Sequence, residues 1–226
     1  MPKRSVIVID TTDQKRTYLF DFDGTLVDSM PTYISAMLRI LDENSIAYGE
    51  DIVKIMTPLG LNGAAEYFIN ELGLNIPKDR LVALMKEYMQ DAYFYTIPAK
   101  ENVISVLQEL KRRGASLNVL TASPHLTLDA CLKRLEMLDL FDHVWSCDDF
   151  NTTKSNPDIY VRAAEKIGVP PKNVIFVDDN VGAVKTAKTG GMTAYGIYDE
   201  TSEEYIDEMT EISDRYVRVF EELLRD

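Results

Sequence analysis

Two short apolar runs that each end on neighbouring acids constrain this chain more than any other feature. Tyr18-Leu19-Phe20-Asp21-Phe22-Asp23-Gly24 and Val174-Ile175-Phe176-Val177-Asp178-Asp179-Asn180 both read as buried β-strands, because they are rich in β-branched and aromatic residues and close on turn formers. In both, the carboxylates fall at or just past the C-terminal end of the strand, which is where open α/β sheets bind ligands. Acids this close repel one another unless a cation or a shared proton lies between them. Gly24 lets the backbone turn sharply at that point. A simpler reading is also available, since Asp and Gly are ordinary turn residues.

The pattern between and after these runs predicts the architecture. From Met30 to Ile97 apolar residues recur at helical spacing, as in Tyr33-Ile34-Met37-Leu38-Leu41 and Leu81-Leu84-Met85-Tyr88-Met89, with no strand alternation. Pro58, Gly60, Gly63, Gly73 and Pro77 divide the stretch into four expected helices. From Asn102 onward helix and strand alternate: a helix Val103–Arg113 stopped by Gly114, then strands Leu117–Thr121, His143–Cys147, Val174–Asp178 and Thr193–Tyr198, with a short edge strand Arg215–Phe220 before a closing helix. Such alternation implies a parallel sheet with helices on both faces. The fold class is therefore α/β, a Rossmann-like core of residues 1–29 and 98–226 with an α-helical cap of residues 30–97 inserted over the strand ends. Val6–Asp10 reads as a peripheral strand or a flexible lead-in, and the acidic stretch Asp199–Glu211 as a solvated helix face.

If the two acid-ended strands are neighbours, Asp21, Asp23, Asp178 and Asp179 form a hard-oxygen site that suits Mg²⁺. Thr121-Ala122-Ser123-Pro124 offers a hydroxyl and free backbone N–H groups where a helix starts, a natural phosphate cradle. Lys154 stands just before Pro157, which opens a helix ending at Gly168. A formal net charge of −13 argues against nucleic acid or an anionic membrane as partner. No apolar run is long enough to span a bilayer and the N-terminal residues lack a secretory pattern, so a cytoplasmic address is expected. Cys131 and Cys147 are expected to be small buried side chains rather than a disulfide framework.

The run Asp21-Phe22-Asp23-Gly24-Thr25-Leu26-Val27-Asp28-Ser29 closely resembles the first motif of the haloacid dehalogenase-like hydrolases. The resemblance implies that Asp21 is a nucleophile that becomes an aspartyl phosphate and Asp23 the general acid and base, with its backbone carbonyl on the metal. Thr121 matches the second motif, whose hydroxyl binds the phosphoryl group, and Lys154-Ser155-Asn156-Pro157-Asp158 resembles the third, whose lysine offsets aspartate and phosphate charge. Asp178-Asp179 resembles the fourth, in its double-Asp form; relatives often carry another acid a turn later, where this chain has Ala183. The family also implies a helical cap between the first two motifs. The expected activity is that of a Mg²⁺-dependent phosphatase acting on a small phosphorylated substrate, such as phosphoglycolate or a sugar phosphate. A β-phosphoglucomutase-like phosphotransferase shares these residues, although Thr25 leans toward hydrolysis. A haloacid dehalogenase is disfavoured by Asp23, and a phospho-accepting receiver module by the order of the acids and by the long helical insertion. Lys54, Lys86 and Lys100 are candidates to read the leaving group, and equally ordinary surface charges. His125 is expected at the surface.

Overall fold

Six strands, the central ones almost wholly buried, form one fully parallel sheet in the computed structural model, which describes residues 16–56 and 59–225. They are β1 Thr17–Phe20, β2 Ser116–Thr121, β3 His143–Ser146, β4 Val174–Asp178, β5 Thr193–Ile197 and β6 Arg215–Val217, in spatial order β3-β2-β1-β4-β5-β6. β1 is central: Tyr18 pairs with Leu117 on one side and with Ile175 on the other.

Strand alternation divides the core between the two faces. Tyr18, Phe20, Leu117, Val119 and Val177 point into one cluster, against α5 (Val103–Arg112) and α6 (His125–Arg134). Leu19, Leu120, Phe176 and Ala194 point into the other, against α7 (Asp158–Ile167), α8 (Val181–Thr189) and α9 (Ile206–Ile212). The expected punctuation is present, since Gly114 (φ +87°) and Gly168 (φ +88°) follow α5 and α7 in the left-handed conformation that glycine tolerates.

Between β1 and α5 lie four helices: α1 Met30–Glu43, α2 Ile52–Met56, α3 Gly60–Asn70 and α4 Lys78–Tyr95. They bury a separate cluster that includes Met37, Ile40, Leu41, Phe68, Leu81 and Met85. The two connections to the sheet run side by side. Asp28 N donates to Pro98 O at 3.0 Å, Lys100 N to Leu26 O at 3.0 Å, and Val27 bridges Ala99 antiparallel.

Several expectations change at the C-terminal end. The fifth strand stops at Ile197, the edge strand stops at Val217, and the closing segment Phe220–Arg225 is a 3₁₀ helix. Cys147 opens a 3₁₀ turn instead of ending β3, because Ser146 caps it by accepting from Asp148 N. The stretch after β5 is not simply a solvated face, for Asp199 is 4 % exposed and Met209 2 %. Both cysteines are free and buried. Among the described residues no helix is long and apolar enough to cross a membrane. Val6–Asp10 lies outside the described residues.

Candidate active site

The site begins where β1 and β4 leave the sheet together. Asp21 N continues their pairing by donating to Val177 O at 2.9 Å, so Asp21 emerges beside Asp178. The carboxylates of Asp21, Asp178 and Asp179 then offer oxygens that all lie within 4.8 Å of one another. Asp178 is fully buried and Asp21 nearly so. Lys154 meets this cluster from the loop before α7, ion-paired with Asp21 and 2.8 Å from Asp178. Tyr160 holds that loop in place by donating to Lys154 O (3.1 Å) and packing its hydroxyl against Ala183 O (3.2 Å).

Asp179 is seated by the turn after β1. Thr25 donates to its Oδ1 at 2.9 Å, and a Cβ on Gly24 would come within 2.6 Å of its Oδ2. With φ +75°, Gly24 is required here both for backbone conformation and for space. Asn180 completes the corner: its N–H donates to Asp178 Oδ1 (2.7 Å) and its side chain caps α8 by accepting from Ala183 N (3.0 Å).

Electrostatics separates the cluster from an ordinary acidic turn. Burial pushes Asp178 up, with Lys154 pulling against it. Burial and then the charges of Asp178 and Asp21 push Asp179 well up. Lys154 is raised too: burial disfavours its charge, but its two carboxylate partners, Asp178 and Asp21, outweigh that burial. Three close carboxylates against one ammonium leave negative charge uncompensated, on hard oxygen donors that fit a small divalent cation.

The expected set of four carboxylates becomes three. Asp23 turns its side chain into a separate, half-buried niche, where Tyr93 of α4 donates to Oδ1 at 2.6 Å and Ser123 donates to Oδ2. Burial pushes this carboxyl up, and the Ser123 and Tyr93 donors draw it partly back. Ser123, named with Thr121 and Ala122 in the expected phosphate cradle, thus commits its hydroxyl to Asp23. Thr121, 1 % exposed at the end of β2, accepts from Ser123 N at 3.1 Å, and Ala122 beside it is exposed. His125 is held between Asp129 (3.0 Å) and Asp149 (2.8 Å) and does not join the acids.

Sequence reasoning missed Tyr93. It falls on the same helical face as Met85 and Met89, so periodicity marks it as buried, but nothing local marks its partner 70 residues away. Arg134 of α6 fixes the backbone there, donating to Tyr93 O (3.3 Å) and to Ile97 O. Lys100, a candidate for the leaving group or for an ordinary surface charge, reaches Gly24 O at 2.7 Å. Lys54 and Lys86 are exposed.

Residues 18–197 match the family model for haloacid dehalogenase-like hydrolases. The chain is 27 % identical over 190 residues to the pyrophosphatase PpaX of Bacillus velezensis, covering 82 % of this chain and 85 % of that one. It is 23 % identical to a phosphorylated carbohydrates phosphatase of Thermotoga maritima, covering 79 % and 83 %. Among solved structures, a predicted phosphoglycolate phosphatase from Haemophilus somnus superposes with a TM-score of 0.80 at 20 % identity, covering 95 % of this chain and 98 % of that one. With its motif aspartates gathered at the ends of adjoining parallel strands and the family model spanning all of them, this chain belongs to the haloacid dehalogenase-like hydrolases.

Proposed function

We propose that this phosphoester hydrolase is a Mg²⁺-dependent phosphatase of small phosphorylated metabolites, working through an aspartyl phosphate on Asp21. The observation that carries the reading is the contrast between two acids one residue apart. Asp21 lies in the carboxylate cluster, ion-paired with Lys154, whereas Asp23 sits in a niche of its own between Tyr93 and Ser123 with its carboxyl pushed up. Neighbouring carboxyls with environments this different divide into an anion that attacks and an acid that delivers a proton.

Asp21, Asp178 and Asp179 would hold the ion, with the Asp23 carbonyl added by family resemblance. When bound, Mg²⁺ supplies charge compensation to the phosphoryl oxygens. An Asp21 oxygen attacks phosphorus in line as the bond to the leaving oxygen breaks. Asp23 gives its proton to that oxygen, then takes one from the water that attacks the aspartyl phosphate, and the phosphorus–Asp21 bond breaks to release inorganic phosphate. Lys154 offsets charge on Asp21 and the incoming phosphate, and Thr121, its hydroxyl held by Ser123 N–H, cradles the phosphoryl group with the Ala122 backbone. The helices of residues 30–97 are read as a cap over these strand ends, a reading supported by the reach of Tyr93 from α4 to Asp23.

The test is phosphate release in the presence of Mg²⁺ across pyrophosphate, sugar phosphates, phosphoglycolate and nucleotides. Asp21→Asn is expected to remove turnover with an unchanged circular dichroism spectrum, and a variant that retains near-normal release would eliminate the nucleophile. The phosphotransferase alternative is decided in the same panel, because a sugar 1-phosphate that isomerises without releasing phosphate would replace hydrolysis.

A further inference from the structure

Lys100 occupies a position that the catalytic scheme does not use. Its ammonium carries three protons and meets three acceptors: Gly24 O at 2.7 Å, Tyr198 O at 2.9 Å and Asp199 Oδ2 at 2.9 Å. The side chain is 21 % exposed and that of Asp199 only 4 %. Asp199 is itself fixed from behind, accepting from Thr201 N (2.9 Å) and Thr201 Oγ1 (2.5 Å). Burial would raise the Asp199 carboxyl, but the Thr201 and Lys100 donors outweigh it and hold it below the usual carboxylate range. One lysine thus joins three segments remote in sequence: the turn after β1, the second connection to the helical segment, and the loop after β5.

The turn it holds is the one that seats Asp179. Gly24 N donates to Val27 O at 3.0 Å while Gly24 O accepts from Lys100, so the Gly24 peptide groups are fixed on both sides. Gly24 Cα stands against the Asp179 carboxylate with no room for a methyl group, and Thr25 donates to that carboxylate. A displacement of this turn by a fraction of an ångström therefore moves the wall and the donor that orient Asp179 together. The neighbouring Asp199 charge also reaches Asp179, and Lys100 lies against Asp199 to balance it.

We propose that Lys100, braced by Asp199, is a positioning residue for Asp179, acting through the Gly24–Thr25 turn to set the cation affinity of the carboxylate cluster. This rests on the reading of Asp21, Asp178 and Asp179 as a metal site. Partners one shell out from a metal ligand typically govern about 10–100-fold of metal affinity, whereas a buried ion pair with a purely structural role moves stability and leaves affinity alone.

The experiment uses Mn²⁺ alone as probe, followed by electron paramagnetic resonance or calorimetry, together with amide exchange of the metal-free protein. Lys100→Met keeps the apolar stem and removes the three donors. It is expected to weaken Mn²⁺ binding about tenfold or more and to speed exchange at the Gly24 amide while β1 stays protected. Asp199→Asn leaves Lys100 its two carbonyl acceptors, and a smaller loss of affinity in the same direction is expected; it carries the test should Lys100→Met not fold. A folded variant that melts earlier yet binds Mn²⁺ with wild-type affinity overturns the brace. If the wild-type protein binds no Mn²⁺, the metal-site reading fails instead, and unchanged Gly24 exchange in Lys100→Met then overturns the brace by itself.

Discussion

Asp23 accepts a hydrogen bond on each oxygen, from Tyr93 and from Ser123, in a half-buried niche. A donor aimed at a general acid stabilises the carboxylate left behind once the proton has gone, which makes the acid stronger and fixes the direction of transfer. Tyr93→Phe deletes this donor and keeps the ring, which stacks on Phe22 at 6.1 Å and 24°. A hydrogen bond to a charged group is worth about 1.5–3 kcal/mol, so turnover of alkyl phosphates should fall about tenfold or more. Aryl phosphates, whose leaving oxygen needs little protonation, should lose far less. Steady-state rates on one ester of each kind give the ratio. An equal loss on both would mean that Tyr93 supports the fold rather than the acid.

Elements were readable wherever a local backbone requirement announced itself. Pro124 and Pro157 precede α6 and α7, and Gly114 and Gly168 follow α5 and α7, because fixed or left-handed φ values belong to those residue types whatever the tertiary context. The acids at the ends of β1 and β4 were readable for a related reason, since strand ends place their side chains by pairing register. The acidic stretch after β5 was not, because the burial of Asp199 depends on a lysine 99 residues earlier. Tyr93 escaped for the same non-local reason. His125 shows how an element end can be tied down by charge: at the first turn of α6 it bridges Asp129 and Asp149, linking the loop after β2 to the turn after β3. The donors to these two acids raise its pKa above the ordinary 6.5, against the effect of burial. A raised folded pKa stabilises fully below the unfolded value and ceases to do so as pH rises through the folded one. The difference in melting temperature between wild type and His125→Gln should therefore be larger at about pH 5.5 than at about pH 9. With the imidazole 41 % exposed, solvent screening keeps the effect small, and a pH-independent offset would show that the bridge carries no charge.

At the scale of the whole molecule, the sheet order β3-β2-β1-β4-β5-β6 places the change of winding direction between β1 and β4, and that crevice is where Asp21 meets Asp178 and Asp179. The fold therefore concentrates unbalanced carboxylates at one point of a chain already carrying a net charge of −13. Carboxyls whose folded pKa lies above the unfolded one cost stability at neutral pH, so the metal-free protein holds a strain that a bound cation relieves. Saturation at about one hundred times the dissociation constant adds about 2.7 kcal/mol, which for a chain of this size corresponds to a rise in melting temperature of about 5–11 °C. Mg²⁺ should produce that rise and a chelator should reverse it. Asp179→Asn separates this linkage from a general salt effect: the neutral amide keeps the shape and removes one of the repelling charges, so the metal-free variant should melt at or above the wild-type temperature while its Mg²⁺-dependent rise disappears. If the variant keeps the full rise, Mg²⁺ is acting elsewhere on the acidic surface and the three carboxylates are not its site.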